Sequence, residues 1–409
     1  MDYAQEALQL HKNLKGKLFV QSKISLHNQE ALSLAYTPGV AEPCKLIAED
    51  KALVYEYTMK ENFIAVVSDG TAVLGLGDIG PEAALPVMEG KCVLFKEFGG
   101  VNAVPLCIAT REVEEIVEFV TRIAPTFGGI NLEDISSPRC FTIEKRLKES
   151  LSIPVFHDDQ HGTAVVVLAA LINAAKVVGK EFKELRVVVN GAGAAGASIA
   201  KILLLAGIEN LRLCDEYGVI FSGRQEGMNE EIEQLALVTN LQQKKGRLGE
   251  VIEGADVFIG VSKAGLLTKE MVQKMNREAI VLPMANPVPE IWPQEALEAG
   301  AKVVGTGRSD FPNQINNVLA FPGIFRGALD ARARDINEEM KLAAAEALAG
   351  MIPECELRPD YILPEAFDLR VGPRVAAAVA EAAVKSEVAG VRLTYQEELV
   401  RATKLMKKA

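Results

Sequence analysis

Histidine and cysteine are scarce in this chain, and neither is clustered. There are 4 histidines and 6 cysteines among 409 residues. The cysteines form no Cys-x-x-Cys pair and no dense group; they are Cys44, Cys92, Cys107, Cys140, Cys214 and Cys355. Neither a zinc site nor a disulfide framework is therefore predicted. We expect reduced thiols and a cytoplasmic protein.

Positive charge is also in deficit. The chain has 44 Lys and Arg against 55 Asp and Glu, a net charge of −11. An acidic surface repels phosphate backbones and anionic lipid headgroups, so we expect no nucleic-acid or membrane partner, although local basic pockets remain compatible with the count. The first residues, 1–5, lack the basic start and apolar core of a secretory signal, so no cleavage is expected.

Only one apolar run approaches the length of a membrane span, Thr163 to Gly179. Asn173 and Lys176 interrupt it, a polar segment precedes it, and a valine-rich run at 186–190 follows it. These flanks favour a helix buried between layers of a globular protein.

The length and the 49% apolar content predict two domains with packed cores. Short apolar runs alternate with amphipathic ones from about Glu61 to Pro154, a pattern typical of a parallel α/β layer. Its predicted strands are Phe63–Val67, Ala103–Ile108, Gly129–Leu132 and Ile153–Phe156, and its predicted helices are Pro81–Lys96 and Arg111–Ala124.

A second series of strands predicts a Rossmann-like, doubly wound sheet. These strands are Arg186–Asn190, Asn210–Cys214, Val257–Val261, Ala279–Met284 and Lys302–Gly305. After a break at Arg326, helices are predicted at Glu338–Leu348, Pro373–Val384 and Thr394–Lys407, packing on the core or on another subunit. The predicted division is a catalytic domain over 1–160, a dinucleotide-binding domain over 161–385 and a C-terminal helix over 386–409.

A glycine-rich motif, Gly191-Ala-Gly193-Ala-Ala-Gly196, follows the strand Arg186–Asn190 and opens an apolar helical run. This context makes it a dinucleotide-binding signature. Gly191 permits the tight turn, Gly193 lets the backbone approach the pyrophosphate, and Gly196 permits close packing of helix on strand. Amide donors come from the helix N-terminus, at Ala194 and Ala195.

Asp215 ends the next predicted strand. A carboxylate there accepts hydrogen bonds from the ribose hydroxyls and repels a 2′-phosphate, so NAD is expected in preference to NADP. Glu216 adds to that repulsion. Arg212 and Arg224 lie nearby in sequence and could accommodate a phosphate, which keeps NADP open.

Two acidic pairs, Glu133-Asp134 and Asp158-Asp159, each end a short apolar run. Glu133, Asp134 and Asp159 could supply oxygen ligands to Mg²⁺ or Mn²⁺ and leave positions for water and a chelating substrate. The alternative is that these acids cap helices or turns, which is the commoner role of a single such pair.

Several longer motifs make the chain resemble the malic enzymes over nearly its whole length, closest to the short prokaryotic form without a fused acyltransferase-like domain. They are residues 36–44 (YTPGVAEPC), 68–78 (SDGTAVLGLGD), 88–91 (MEGK), 130–135 (INLEDI), 155–162 (VFHDDQHG), 285–287 (ANP) and 312–317 (PNQINN). The resemblance implies oxidative decarboxylation of L-malate to pyruvate and CO₂ with NAD and a divalent metal, and it implies a homodimer.

The resemblance also implies roles for single residues. Lys91 would be the general base, Tyr36 the general acid, and Glu133, Asp134 and Asp159 the metal ligands. Lys91 must be neutral to act as a base, so burial and the cation would have to lower its pKa. Asp158 would hold Lys91 or a bound water, or would cap the helix that follows.

The remaining contacts implied by the resemblance concern substrate and cofactor. Asn286 and Asn317 would bind the substrate carboxylate or the nicotinamide, with turn formation as the alternative for Asn286-Pro287. Thr163 is expected at the cofactor. Larger family members carry an arginine in the 68–78 segment, and here Thr71 or backbone amides would replace it at the substrate carboxylate.

Two other functions remain open. A malolactic enzyme shares these motifs but retains NAD and forms lactate. A nucleotide- and metal-responsive binding protein would need only the glycine-rich fold, although Tyr36, Lys91 and three acids count against it.

Overall fold

The computed structural model describes residues 3–73 and 75–407. The outermost residues of the predicted domains (1–2 and 408–409) and Leu74 of the glycine-rich 68–78 segment lie outside the described residues.

The first part of the described chain is an exposed helical segment. Its helices are α1 (Tyr3–Leu14), α2 (Gln29–Ala35), α3 (Ala41–Glu49) and α4 (Val54–Tyr57). None of these helices has a buried residue, and Lys60 is the first buried residue in the described chain. We call residues 3–58 the N-terminal arm. Helices α1 and α2 make no extensive contact with another described helix or strand.

The first sheet has the order β2-β1-β3-β4 with every neighbouring pair parallel. Its strands are β1 (Phe63–Ser68), β2 (Asn102–Cys107), β3 (Gly129–Leu132) and β4 (Val155–His157), and its helices are α5 (Pro81–Gly99), α6 (Val113–Ile123) and α7 (Arg139–Ser150). Parallel strands bring their carboxyl ends to one edge of the sheet, so both acidic pairs reach the same edge.

The second sheet has the order β10-β9-β8-β5-β6-β7. Its strands are β5 (Arg186–Asn190), β6 (Asn210–Asp215), β7 (Gly218–Val219), β8 (Val257–Gly260), β9 (Ala279–Pro283) and β10 (Ala301–Val304). Its helices are α8 (Asp158–Val178), α9 (Ala194–Leu205), α10 (Glu230–Val238), α11 (Leu248–Val251), α12 (Lys269–Gln273) and α13 (Pro293–Glu298). Strand β5 has β6 on one side and β8 on the other, which makes its carboxyl end the switch point where dinucleotides bind.

The two-domain α/β fold is confirmed. The sequence missed β7, a two-residue strand antiparallel to β6 that is too short to show a period. Helix α8 is long and apolar enough to cross a membrane, but 67% of its most apolar window is buried inside the protein. It packs against α9 and α15 (Glu338–Ala349), as expected of a helix between layers.

The break predicted after Arg326 begins four residues later than expected, because helix α14 (Phe321–Asp330) continues past that residue. The Arg326 guanidinium is buried and donates to Asp330 within the helix and to Asn62 Oδ1 at 2.7 Å. Helices α16 (Val371–Lys385) and α17 (Tyr395–Met406) pack on each other and on α5. The C-terminal helices therefore cover the helix that carries Lys91.

Candidate active site

Three of the four paired acids converge where β3 and β4 end side by side. Glu133 and Asp134 follow β3, and Asp159 lies in the first turn of α8, which begins directly after β4. One carboxylate oxygen from each of the three lies within 4.8 Å of the others. Glu133 and Asp134 are 5% and 4% exposed. We call these three residues the acid cluster.

Burial and neighbouring carboxylates make ionisation of Glu133 and Asp134 harder. Burial raises the pKa of Asp134 to about 8, with Asp159 adding to the effect, and burial also raises the pKa of Glu133. Asp134 Oδ2 is buried without a hydrogen-bond partner in the described structure. A divalent cation would relieve both conditions, and an all-oxygen donor set suits Mg²⁺ or Mn²⁺. The acid cluster fits the predicted metal.

Lys91 reaches this cluster from α5. Its Nζ lies 2.5 Å from Asp158 Oδ2 and 2.8 Å from Glu133 Oε1. Burial alone would lower the pKa of Lys91, but the charges of Asp158 and Glu133 outweigh burial and raise it. The protein groups alone therefore do not give Lys91 the low pKa expected of a base. A positive charge that offsets the carboxylates is needed to lower the pKa of Lys91.

The Asp158 carboxylate is bonded to Lys91 and is also in contact with other residues of α8 and of the segment before α14. Its side chain is fully buried, and Oδ2 also accepts from Asn317 Nδ2 at 3.0 Å. Asn317 Oδ1 in turn accepts from Thr163 Oγ1 at 3.0 Å. A Cβ on Gly162 would lie 1.9 Å from Asp158 Oδ1, so only glycine fits there. Of the expected roles for Asp158, the geometry favours holding Lys91 over holding water.

Thr71 is enclosed in a network of its own. Its hydroxyl donates to Asp69 Oδ1 at 2.6 Å and accepts from Arg139 Nη2 at 2.9 Å. Its single proton is thus in use, and direct donation to a carboxylate would need the network to rearrange. Sequence reasoning missed Arg139, whose guanidinium also donates to Asp69 Oδ2 at 2.8 Å, because nothing in α7 links it to the glycine-rich segment.

Tyr36 is the one predicted catalytic residue that the structure does not bring to the cluster. It follows α2 at the end of the exposed first half of the arm, and its side chain is 68% exposed. Within the described residues, no side-chain hydrogen bond or ring contact joins it to Lys91 or to the acids.

The surroundings of the three glycines in the glycine-rich turn agree with the steric role predicted for each. Gly191 has φ of 120°, and a Cβ there would lie 2.5 Å from Val261 O. A Cβ on Gly196 would lie 1.7 Å from Gly191 O, inside the helix-strand contact. A Cβ on Gly193 would meet nothing within 4 Å, so this face of the turn is open for a ligand. Ala194 and Ala195 form the first turn of α9, where amides lack partners within the helix.

Asp215 ends β6 and is already paired. It accepts from Tyr217 N at 2.9 Å and from both terminal nitrogens of Arg224, one of them at 2.7 Å. Arg224 is 6% exposed. Arg212 donates instead to Val251 O at 3.1 Å. Arg224, one of the two arginines considered as partners of a 2′-phosphate, is thus bonded to Asp215, the carboxylate expected to bind the ribose hydroxyls.

Asn286 lies on the exposed loop after β9, in a cis peptide bond with Pro287. A Cβ on Gly75 would lie 2.8 Å from Asn286 O, so this loop touches the glycine-rich segment of the first domain. Sequence reasoning missed Glu290, fully buried, which accepts from Ser262 N at 2.9 Å and from Ala285 N at 3.0 Å. It fixes the loops after β8 and β9, and its apolar neighbours in sequence gave no signal.

A cavity of about 880 Å³ contains none of these residues. Glu144 and His161 line it and are bonded to each other, with His161 Nε2 2.8 Å from Glu144 Oε1. These two groups are therefore already bonded to each other. The acid cluster is the candidate active site instead, and Asp134 Oδ2 in it has no hydrogen-bond partner in the described structure.

Fold and site together define a two-domain, dinucleotide-binding α/β protein with a buried lysine facing an acid cluster. Residues 15–148 match the family model described as malic enzyme, N-terminal domain. Residues 160–384 match the one described as malic enzyme, NAD binding domain. The chain belongs to the malic enzyme family, and the resemblance seen in its motifs is confirmed.

Individual relatives extend this match over the whole chain. A bifunctional malic/malolactic enzyme of Bacillus subtilis is 59% identical and covers 99% of both chains. An NAD-dependent malic enzyme of Geobacillus stearothermophilus is 58% identical, over 92% of this chain and 78% of its own. The crystal structure of malic enzyme from Pyrococcus horikoshii Ot3 has a TM-score of 0.96 at 49% identity, covering 99% of this chain and 96% of that one.

Proposed function

We propose that this protein catalyses the metal-dependent oxidative decarboxylation of L-malate to pyruvate and CO₂ with reduction of NAD. The observation that carries the proposal is Lys91, bonded to Asp158 and Glu133 at the edge of the acid cluster. The names of the two relatives above, one malic/malolactic and one NAD-dependent malic enzyme, support the same reaction.

Glu133, Asp134 and Asp159 would hold Mg²⁺ or Mn²⁺. A cation bound there would lower the pKa of a coordinated hydroxyl and polarise a carbonyl. Asn131 Nδ2 donates to Glu133 Oε2 at 2.9 Å, and Asp134 N donates to Asp159 Oδ2 at 2.8 Å. These bonds fix the orientation of two of the three carboxylates in the acid cluster.

Lys91 takes the proton of the C2 hydroxyl, and NAD bound at the glycine-rich turn would accept the C2 hydride. Asp158 positions the lysine amine, and Asn317 and Thr163 hold Asp158. Tyr36 returns a proton to C3 once the C4 carboxylate has left. Burial of Lys91 and Asp158 keeps water from competing for the base.

NAD rather than NADP is the expected cofactor. Asp215 stands at the end of β6 with its carboxylate oriented by Arg224, so the ribose hydroxyls would meet a fixed acceptor. The molecule would act as a cytoplasmic homodimer on a small-molecule substrate, without a nucleic-acid or membrane partner.

Incubation of the purified chain with L-malate, NAD and Mn²⁺ tests the proposal. NADH formed together with pyruvate supports it. The second candidate is a malolactic reaction, which the bifunctional name of the Bacillus relative favours. Lactate without net NADH would establish that reaction instead, and binding of NAD and metal without turnover would leave only a binding protein.

A further inference from the structure

We propose that Arg139 is a positioning residue for the metal site. Its guanidinium holds the backbone of Asp134 in a strained conformation, and that conformation brings the Asp134 carboxylate within 4.8 Å of the other two members of the acid cluster. The proposal rests on the proposed function for the presence of a divalent cation at the acid cluster.

The first observation is the backbone of Asp134. Its φ is 54°, in the left-handed region, which costs free energy for a residue with a Cβ and persists only where surrounding contacts maintain it. Asp134 O accepts a hydrogen bond from Ala72 N at 3.0 Å, and Asp134 N donates to Asp159 Oδ2 at 2.8 Å. The Asp134 turn is therefore bonded to the glycine-rich 68–78 segment and to another residue of the acid cluster.

The second observation is that Arg139 bonds to both segments that meet at Asp134. Its Nη2 donates to Thr71 Oγ1 at 2.9 Å and to Ser136 Oγ at 3.1 Å. Ser136 N also donates to Thr71 Oγ1, at 3.0 Å. Thr71 precedes Ala72 in the chain, and Ser136 lies two residues after Asp134. These bonds therefore cross-link the same two segments as the hydrogen bond between Ala72 and Asp134.

The third observation is that the Arg139 guanidinium is itself fixed in place. Its Nη1 donates to Asp69 Oδ2 at 2.8 Å and to Arg111 O at 2.7 Å, and the Asp69 side chain is fully buried. The two terminal nitrogens thus bind four acceptors on four different residues. Lysine has three N–H donors on one nitrogen and cannot reproduce this set, whereas the planar fork of arginine provides it.

The fourth observation is that Arg139 does not stabilise its own helix. It is the first residue of α7, where the helix dipole disfavours a positive charge. All four acceptors of its guanidinium lie outside α7. The contribution of Arg139 therefore comes from the segments that it joins.

Loss of these bonds would release the Asp134 turn. Asp134 Oδ2 is buried and has no hydrogen-bond partner in the described structure, so its position depends on the backbone that carries it. Groups that hold metal ligands from outside the coordination shell typically contribute about 10–100-fold to metal affinity. We therefore expect Arg139 to act on cation affinity.

Titration of the purified chain with Mn²⁺, followed by the electron paramagnetic resonance signal of the free ion, tests the proposal. Arg139→Ala should bind Mn²⁺ about 10–100-fold more weakly than the wild type. Arg139→Lys keeps a charge opposite Asp69 but lacks the fork, so its affinity should lie between the two. Arg146→Ala is the matched control, because Arg146 lies on the same helix and pairs with the largely exposed Glu114. It should bind Mn²⁺ like the wild type.

The outcomes separate positioning from general support of the fold. A lower melting temperature of Arg139→Ala in EDTA, together with unchanged Mn²⁺ affinity of the folded protein, would overturn the proposal. Should Arg139→Ala not fold, equal affinities of Arg139→Lys and the wild type would overturn it in the same way. A wild type that binds no Mn²⁺ would overturn the proposed function as well, whereas unchanged affinity in the variants would leave that function intact.

A second measurement follows the Asp134 turn without metal. In EDTA, the amide hydrogens of Ala72 and Ser136 should exchange with deuterium faster in Arg139→Ala than in the wild type, since both are bonded between the two cross-linked segments. Arg146→Ala should exchange like the wild type. Equally slow exchange in Arg139→Ala and the wild type would contradict the proposal, because the turn would then be held without the guanidinium.

Discussion

Nζ of Lys91 lies 2.5 Å from Oδ2 of Asp158, and this contact joins α5 of the first domain to the start of α8. It brings the proposed base to the edge of the acid cluster, where the Phe321 ring of α14 lies 4.1 Å from its Nζ. The charge of Asp158 keeps the lysine protonated until another positive charge competes for the carboxylates.

Replacing Lys91 with alanine should lower turnover by about 10²–10⁴-fold, because general-base catalysis is lost. NAD affinity should change little, since the glycine-rich turn is on the other domain. Lys96→Ala is the control, because Lys96 lies on the same helix but is exposed, with its Nζ donating to Asn102 Oδ1. Steady-state kinetics measure the turnover and NAD titration measures the affinity. Unchanged turnover in Lys91→Ala would show that Lys91 is not the general base.

Asp158→Asn should alter the pH profile as well as the rate. Asp158 raises the pKa of Lys91, so removing its charge lowers that pKa. The enzyme needs neutral Lys91, so the acidic limb of kcat/KM should move to lower pH while kcat falls about 10–100-fold. A lower kcat with an unmoved limb would show that Asp158 has only a structural role.

The acid cluster makes the stability of the metal-free protein depend on pH. Burial raises the pKa of Asp134 from 3.8 to about 8, so the folded state binds more protons than the unfolded state between those values. Stability should therefore fall as pH rises from about 4 to about 8. Urea unfolding in EDTA should show this fall in stability, and Mn²⁺ should reduce the fall. Asp134→Asn should weaken both the pH dependence and the effect of Mn²⁺. A flat profile in EDTA would contradict the account.

Two glycines of one turn should respond differently to alanine. A Cβ on Gly196 would lie 1.7 Å from Gly191 O, so Gly196→Ala should destabilise the fold. A Cβ on Gly193 meets nothing within 4 Å, so Gly193→Ala should keep its melting temperature and lose NAD affinity. Thermal unfolding and NAD titration separate the effects. Normal NAD affinity in Gly193→Ala would mean that the pyrophosphate binds elsewhere.

Asp215→Ala should weaken NAD binding more than NADP binding, since the ribose acceptor is lost and Arg224 is released from its ion pair. Glu216→Gln is the control, because the Glu216 side chain is 68% exposed and its ion pair with Lys263 is long, at 3.8 Å. Titration of the variant with NAD and with NADP measures the two affinities. Equal losses of affinity would refute the binding of the ribose hydroxyls by Asp215.

The sequence predicted what depends on local pattern. Strands such as Arg186–Asn190 were visible as apolar runs, and Glu133 and Asp159 were recognised because acids at the ends of parallel strands share an edge. Contacts between distant elements were not visible. No spacing relates Arg139 to Thr71, and Glu290 is surrounded in sequence by apolar residues. The exposure of Tyr36 was also hidden, because its motif says nothing about what covers it.

The most direct test of the central claim follows the C4 carboxylate. With L-malate labelled with ¹³C at C4, NAD and Mn²⁺, the account predicts labelled CO₂, pyruvate and NADH in equal amounts. Labelled CO₂ with lactate and no net NADH, or NADH with oxaloacetate and no CO₂, would contradict it.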